Sequence, residues 1–146
     1  MKRLVLDNEL VMQWVLARLP GRGAFEKGVG IGIARDGKLI GGVVYYNYRP
    51  QNDIEVAVAA DDVRWLTPDL LRGLFYYPFG QLQCRRMTAL VEKRNKRSRA
   101  FVEKLGFTHE GTHKECFDGR DGLSYGLLKR NCKFFGEVDG QTNKVA

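Results

Sequence analysis

The sequence predicts a single-domain α/β (α+β) protein with a central mixed, mostly antiparallel sheet and helices on both faces. Three observations carry that prediction. Stretches of apolar residues alternate between helical and strand spacing along the chain, two strand pairs are joined by tight Asp-Gly turns, and 146 residues at 44% hydrophobic content suffice for one core but not two. The element order read from these patterns is helix, hairpin, strand, helix, strand, helix, hairpin.

The first helix lies in "NELVMQWVLARLPG", where Leu10, Val11, Trp14, Val15 and Leu16 fall near one face and Pro20-Gly21 ends the run. "GVGIGIA" at 28–34 and "LIGGVVYYNY" flank the turn "RDGK", which is a hairpin signal. "GVGIG" lacks the spacing of a dinucleotide loop and belongs to the strand. In "NDIEVAVAA" the residues Ile54, Val56 and Val58 share one face, with Glu55, Ala57 and Ala59 on the other. A second helix follows, with Thr67 as N-cap, Pro68 at the first helical position, Asp69 complementing the dipole, and Leu70, Leu71, Leu74 and Phe75 as the buried stripe. "CRRMTALVE" reads as a strand. Asn95 caps a helix over 96–105 whose inner stripe is Ser98, Phe101, Val102 and Leu105, and Gly106 terminates it so that Phe107 folds back on Val102. "FTHEGTHKECF", "DGRDG" and "LSYGLLKR" form the last hairpin. Residues 1–135 constitute the domain, and 136–146 a polar C-terminal tail without periodicity.

Charge is unevenly placed. The formal net charge is +7, and between Cys84 and Lys104 eight cations face two acids. Such a segment concentrates anionic partners, whether nucleic acid, an acidic protein or a phosphorylated cofactor. It is equally the composition of a solvated helical face. No stacking aromatics interleave with the cations except Phe101, which has a core position, so nucleic acid is not favoured. Three cysteines without paired spacing indicate reduced thiols, and no run reaches the roughly 18 apolar residues of a membrane span, so the expected location is the cytoplasm. His109 and His113 stand roughly 13 Å apart on a strand, which excludes a shared metal.

The segment from Asn95 through Ser98 to "KLGF" (104–107) and "EG" (110–111), inside this element order, resembles the GNAT family of N-acetyltransferases over residues 8 to 130. It looks like a phage- or prophage-type subgroup with serine three residues after the asparagine, similar to ribosomal-protein N-terminal acetyltransferases. The resemblance implies a splayed strand pair that receives acetyl-CoA and direct acetyl transfer to a primary amine: a protein N-terminus, a lysine or a small molecule. It implies cofactor contacts from Val56 and Val58 on the strand, from Arg64, Leu66, Thr67, Arg72 and Gly73 around the second helix, and from Asn95, Ser98 and Phe101 on the third. The family's pyrophosphate loop pattern is only partly present: Pro68 and Leu71 replace its first two fixed positions and Gly73 matches the third. Arg64 and Arg72 stand where they could compensate. The tyrosine that many relatives carry seven residues after the asparagine is Val102 here, and Ser98 is the substitute, hydrogen-bonding the departing sulfur. Glu55 is the candidate base, since only the neutral amine attacks a thioester; it also reads as a solvent-facing carboxylate. The alternative is a binding module that keeps the fold and uses the basic 84–104 segment to hold nucleic acid or an acidic protein. The apolar "CKFF" near the end leaves a homodimer open.

Overall fold

The computed structural model describes residues 1–23, 25 and 27–135. The elements are β1 (Lys2–Val5), α1 (Asn8–Leu16), β2 (Val29–Arg35), β3 (Lys38–Arg49), β4 (Asp53–Ala60), α2 (Pro68–Tyr76), β5 (Arg86–Glu92), α3 (Lys96–Lys104), β6 (Thr108–Phe117) and β7 (Arg120–Leu128). They form one seven-stranded sheet in the order β1-β2-β3-β4-β5-β7-β6. Only β4 and β5 run parallel; the other neighbours are antiparallel. The α+β architecture, the mixed sheet and the helices on both faces agree with the sequence reading. The expected tail at 136–146 lies outside the described residues.

Strand alternation divides the core in two. Val43, Tyr45, Ile54 and Val56 face a large cluster completed by Leu74 and Phe75 of α2 and by Val102 and Leu105 of α3. Val44 and Ala59 face a smaller cluster with Val11 and Val15 of α1. Burial of each such aliphatic side chain is worth roughly 1.5–3 kcal/mol. The glycines of "GVGIG" have a packing reason: a Cβ at Gly30 would come within 2.8 Å of Val11, so α1 lies close against β2.

Three local features differ from expectation. β1 went unread because a four-residue, largely exposed edge strand has too little periodicity to stand out. Leu10 is exposed rather than buried; the α1 stripe is rotated so that Met12 joins Val11, Trp14 and Val15, with Leu19 packing on them from beyond the helix. After α2 the chain continues as a π-helical turn, Tyr77–Gln81, which buries Pro78 and Phe79. The three cysteines are free, with Cys84 and Cys132 buried and Cys116 exposed.

Candidate active site

β4 and β5 part company midway. Their register runs from Asp53 opposite Arg86 to Val56 opposite Ala89 and ends there, although β4 continues to Ala60 and β5 to Glu92. The β5-facing edge of Ala57–Ala60 therefore has no strand beside it. A cleft fills the gap.

The cleft has two joined compartments. The inner one, about 240 Å³, lies between Val56, Ala57 and Val58 of β4 and Ala89, Leu90, Val91 and Glu92 of β5. The outer one, about 390 Å³, lies between the end of β4, the loop bearing Asp61, Val63 and Trp65, and the α3 residues Arg97, Ser98, Ala100, Phe101 and Lys104. Val58, Asn95, Ser98 and Phe101 border both, as do Arg18 and Leu19. Because Val56 and Val58 point to the α3 face and Ala57 to the α1 face, the inner compartment passes through the sheet. Pro20, Arg22 and Phe117 also line it.

The opening of α3 is built as its sequence predicts. The Asn95 side chain accepts the Ser98 N–H at 3.1 Å, Gly106 takes φ 106°, and the Phe107 N–H donates to the Val102 carbonyl at 3.0 Å. These bonds hold Ser98 and Phe101 toward the cleft. Cations ring the outer compartment: Arg97 and Lys104 from α3, and Arg18, which stacks on Trp14 and holds Asp61 in a bidentate pair at 2.8 and 3.0 Å. Hydrogen bonding to Arg18 keeps the Asp61 carboxyl below the usual range.

The start of α2 is different. Thr67 accepts the Leu70 N–H on its hydroxyl at 3.2 Å and the Leu71 N–H on its carbonyl at 2.9 Å, and Pro68 has no N–H. Only the Asp69 N–H is left in the first turn, next to the Asp69 carboxylate, which is paired with Arg72. Arg64, Leu66, Thr67, Arg72 and Gly73 line neither compartment.

Glu55 lies on the α1 face, opposite Tyr46 in the β3–β4 register, and accepts from the Asn47 amide at 3.2 Å. It does not line the cleft either, but it is connected to it. The Tyr46 hydroxyl accepts from Arg22 Nη1 at 2.7 Å, and Arg22 Nη2 donates to the Leu90 carbonyl of the splayed strand. Burial pushes the Tyr46 phenol up to about 12, with Arg22 pulling it down and Glu55 pushing it further up. Tyr125 belongs to the core, donating to Glu103 at 2.9 Å. His109 has its ring nitrogen 2.9 Å from the Gly111 carbonyl and packs on Tyr125.

Sequence reasoning thus placed Val56, Val58, Asn95, Ser98 and Phe101 on the cleft and missed Arg18, Arg22, Glu92, Arg97, Lys104 and Phe117 as its walls. The local +6 segment pointed to Arg97 and Lys104 as a group; no sequence signal singled out Arg22.

A parallel strand pair that splays at mid-length, backed by a helix starting on an asparagine cap, can be compared with known proteins. A model of the acetyltransferase (GNAT) domain matches residues 5–108. The chain belongs to the GNAT acetyltransferase family. No curated protein matches its sequence. Among solved structures, a spermidine N-acetyltransferase chimera from Vibrio cholerae and hSSAT superposes with a TM-score of 0.72 at 15% identity, covering 92% of this chain and 99% of that one. The ribosomal-protein-S5-alanine acetyltransferase from Vibrio fischeri gives 0.61 at 19% identity over 75% of this chain and 64% of that one. Mycobacterium smegmatis RimJ in complex with CoA-disulfide gives 0.59 at 23%, over 70% and 54%. At such identities the likeness is one of fold. This GNAT domain is an acyltransferase by family.

Proposed function

We propose that the protein is an N-acetyltransferase that moves an acetyl group from acetyl-CoA directly to a primary amine in the cytoplasm. The observation that carries the reading is the splay of β4 from β5 beyond Val56, with a two-compartment cleft running from the cationic rim of α3 through the sheet. The residues present fit the cofactor at two places. The unpaired edge of Ala57–Ala60 with Asn95, Ser98 and Phe101 suits an amide-bearing arm, and Arg18, Arg97 and Lys104 suit phosphates. The first turn of α2, with one free N–H beside a carboxylate, suits phosphate poorly, so α3 and Arg18 take over that task.

Bound there, acetyl-CoA supplies a thioester whose carbon–sulfur bond is exchanged for a carbon–nitrogen bond to the amine, the amine losing one proton and the sulfur gaining one. Ser98, on the border between the compartments, hydrogen-bonds the leaving sulfur; a serine hydroxyl is too weak an acid to protonate it unaided. Glu55 is the base, reached from the cleft by way of Tyr46 and ordered water. The Tyr46 phenol, raised to about 12, keeps its own proton at neutral pH and can pass one along. In direct transfer the amine itself is the nucleophile and the protein need supply none, which leaves the three cysteines without a role. The serine-bearing asparagine motif supports kinship with the ribosomal-protein enzymes and the phage-type subgroup.

Calorimetric titration with acetyl-CoA tests the reading, with Ser98→Trp as the blocking variant. Micromolar binding by the wild type, lost by at least about 100-fold in Ser98→Trp because the indole fills the cleft, is the expected result. A wild type that gains no thermal stability in millimolar acetyl-CoA is the opposite result, and would leave the fold as a binding module for an acidic partner.

A further inference from the structure

The acceptor end of the cleft is charged in an unexpected sense for an enzyme that receives an amine. Three arginines border the inner compartment, Arg18, Arg22 and Arg94, and one acid, Glu92. Arg18 is committed to Asp61. Glu92 is committed as well: it accepts from the Arg94 N–H at 2.6 Å and from Arg120 at 2.7 Å, and these bonds hold it ionised. Both of its oxygens are thus already engaged.

Arg22 is the exception. Its bonded partners are neutral, the Tyr46 phenol and the Leu90 carbonyl, and among the described residues its buried Nε has no partner. The rings of Phe117, Phe25 and Tyr46 lie 5.2 to 6.0 Å from its guanidinium carbon, and the side chain is partly buried among them. A partly buried guanidinium with no anionic partner among the described residues is suited to meet an anion in the cleft it lines. The arginines also lower the pKa of any ammonium brought between them, which favours the neutral, attacking form of the amine but repels an acceptor with further positive charges.

We infer that the acceptor is a primary amine carrying a carboxylate close to the amino group, and that Arg22 is the residue that recognises that carboxylate. The inference rests on the acetyltransferase reading above. It separates this chain from polyamine acceptors in spite of the fold shared with a spermidine N-acetyltransferase chimera. The carboxylate can belong to a free amino acid or to an acidic residue next to a peptide N-terminus.

The test follows thiol release from acetyl-CoA with tetrapeptides that share an N-terminal alanine and differ only in having Glu-Glu, Gln-Gln or Lys-Lys next, together with free aspartate and spermidine. The expected order of kcat/KM is acidic, then amide, then basic, with a gap of about ten-fold per step, the size of one charge-assisted hydrogen bond. Arg22→Met should raise KM for the acidic peptide and bring its advantage over the amide peptide to within about two-fold. Should that variant fail to fold, the wild-type order decides alone. The aspartate arm tells a free amino acid from a peptide as the source of the carboxylate. Equal rates across the peptides, preference for spermidine or the Lys-Lys peptide, or no transfer to any acidic amine while acetyl-CoA still binds would overturn this inference and leave the acetyltransferase reading intact. Absence of acetyl-CoA binding would bring down both.

Discussion

The starts of α2 and α3 are alike in architecture and unlike in what they border. Each opens a nine-residue helix, and each is capped by a side chain that accepts the N–H three residues on, at 3.2 Å for Thr67 and 3.1 Å for Asn95. α2 then continues with Pro68 and Asp69 and turns Arg72 back onto its own acid. α3 continues with Lys96 and Arg97 and has no acid in its first turn. Residues of α3 border the cleft from Arg97 to Lys104, and those of α2 border neither compartment. A cap therefore fixes where a helix begins and says nothing of what it serves. The cleft lies where the sheet opens, and its cations come from the helix that borders the opening.

Trp65 links the two helices: it is buried just ahead of α2 and lies 6.1 Å from Phe101 of α3, ring to ring. Its indole rests on Gly41 of β3, where a Cβ would come within 2.1 Å of the ring. Gly41→Val should thus have the largest effect on the molecule, on the order of 3 kcal/mol or more, by expelling Trp65 from the core. Denaturant unfolding measures it. A loss below 1 kcal/mol would mean that the loop before α2 repacks freely and that the two helices are not tied through Trp65.

The caps themselves sharpen the comparison. Thr67→Ala and Asn95→Ala should each cost about 1 kcal/mol of stability, the ordinary worth of an N-cap. Their effects on acetyl-CoA should diverge: Asn95→Ala weakens binding about ten-fold because the same side chain borders both compartments, and Thr67→Ala changes it less than two-fold. Equal losses would return α2 to the cofactor site.

Much of this contrast was legible from the sequence, and the boundary of legibility has a physical cause. Asn95, Gly106 and Phe107 declare themselves because capping and termination are local, decided within a few residues. The alternation of Ile54, Val56 and Val58 is local in the same sense, and it placed two cleft residues. Arg18 and Arg22 carry no local signal: one reaches Asp61 and the other Leu90 only after the sheet has assembled. Around α2 the loop pattern at Pro68, Leu71 and Gly73 is only partly present, and there the structure shows capping bonds and an intrahelical ion pair. Likewise β1, a four-residue edge strand, becomes visible only through its pairing of Lys2 with Arg35 to Val5 with Gly32.

Acid distinguishes the approaches to the two helices from the helices themselves. Asp61 and Asp62 lead into α2 and Glu92 leads into α3, and all three carboxyls are held below their usual range, Asp61 by Arg18, Asp62 by the Arg64 N–H and then Arg35, and Glu92 by the Arg94 N–H and then Arg120. A carboxyl whose folded pKa is depressed contributes stability that is whole above its unfolded value and disappears as pH falls through the folded one. Melting temperature should therefore stay level from neutrality to about pH 5 and decline below about pH 4. Glu92→Gln should shorten that decline, and an unchanged profile in the variant would show that the tie at the end of β5 contributes nothing.

The smallest effect is the one that decides most between the helices. Arg72 is half-exposed and its partner Asp69 is almost wholly so, an i to i+3 pair in solvent. Such pairs contribute roughly 0.2–1 kcal/mol, so Arg72→Ala should shift stability by less than about 0.5 kcal/mol. Its effect on acetyl-CoA should be equally slight, because the guanidinium lies outside both compartments and is already spent on an acid. Arg97→Ala, by contrast, removes a cation from the outer rim and should weaken binding several-fold, more so at low salt than at high salt, since an exposed charge acts across a Debye length of about 10 Å at 0.1 M. If Arg72→Ala weakens the cofactor as much as Arg97→Ala does, with the same salt dependence, Arg72 must leave Asp69 when phosphates arrive. α2 would then carry a phosphate site that opens only in the complex, and the likeness of the two helix starts would extend to their use.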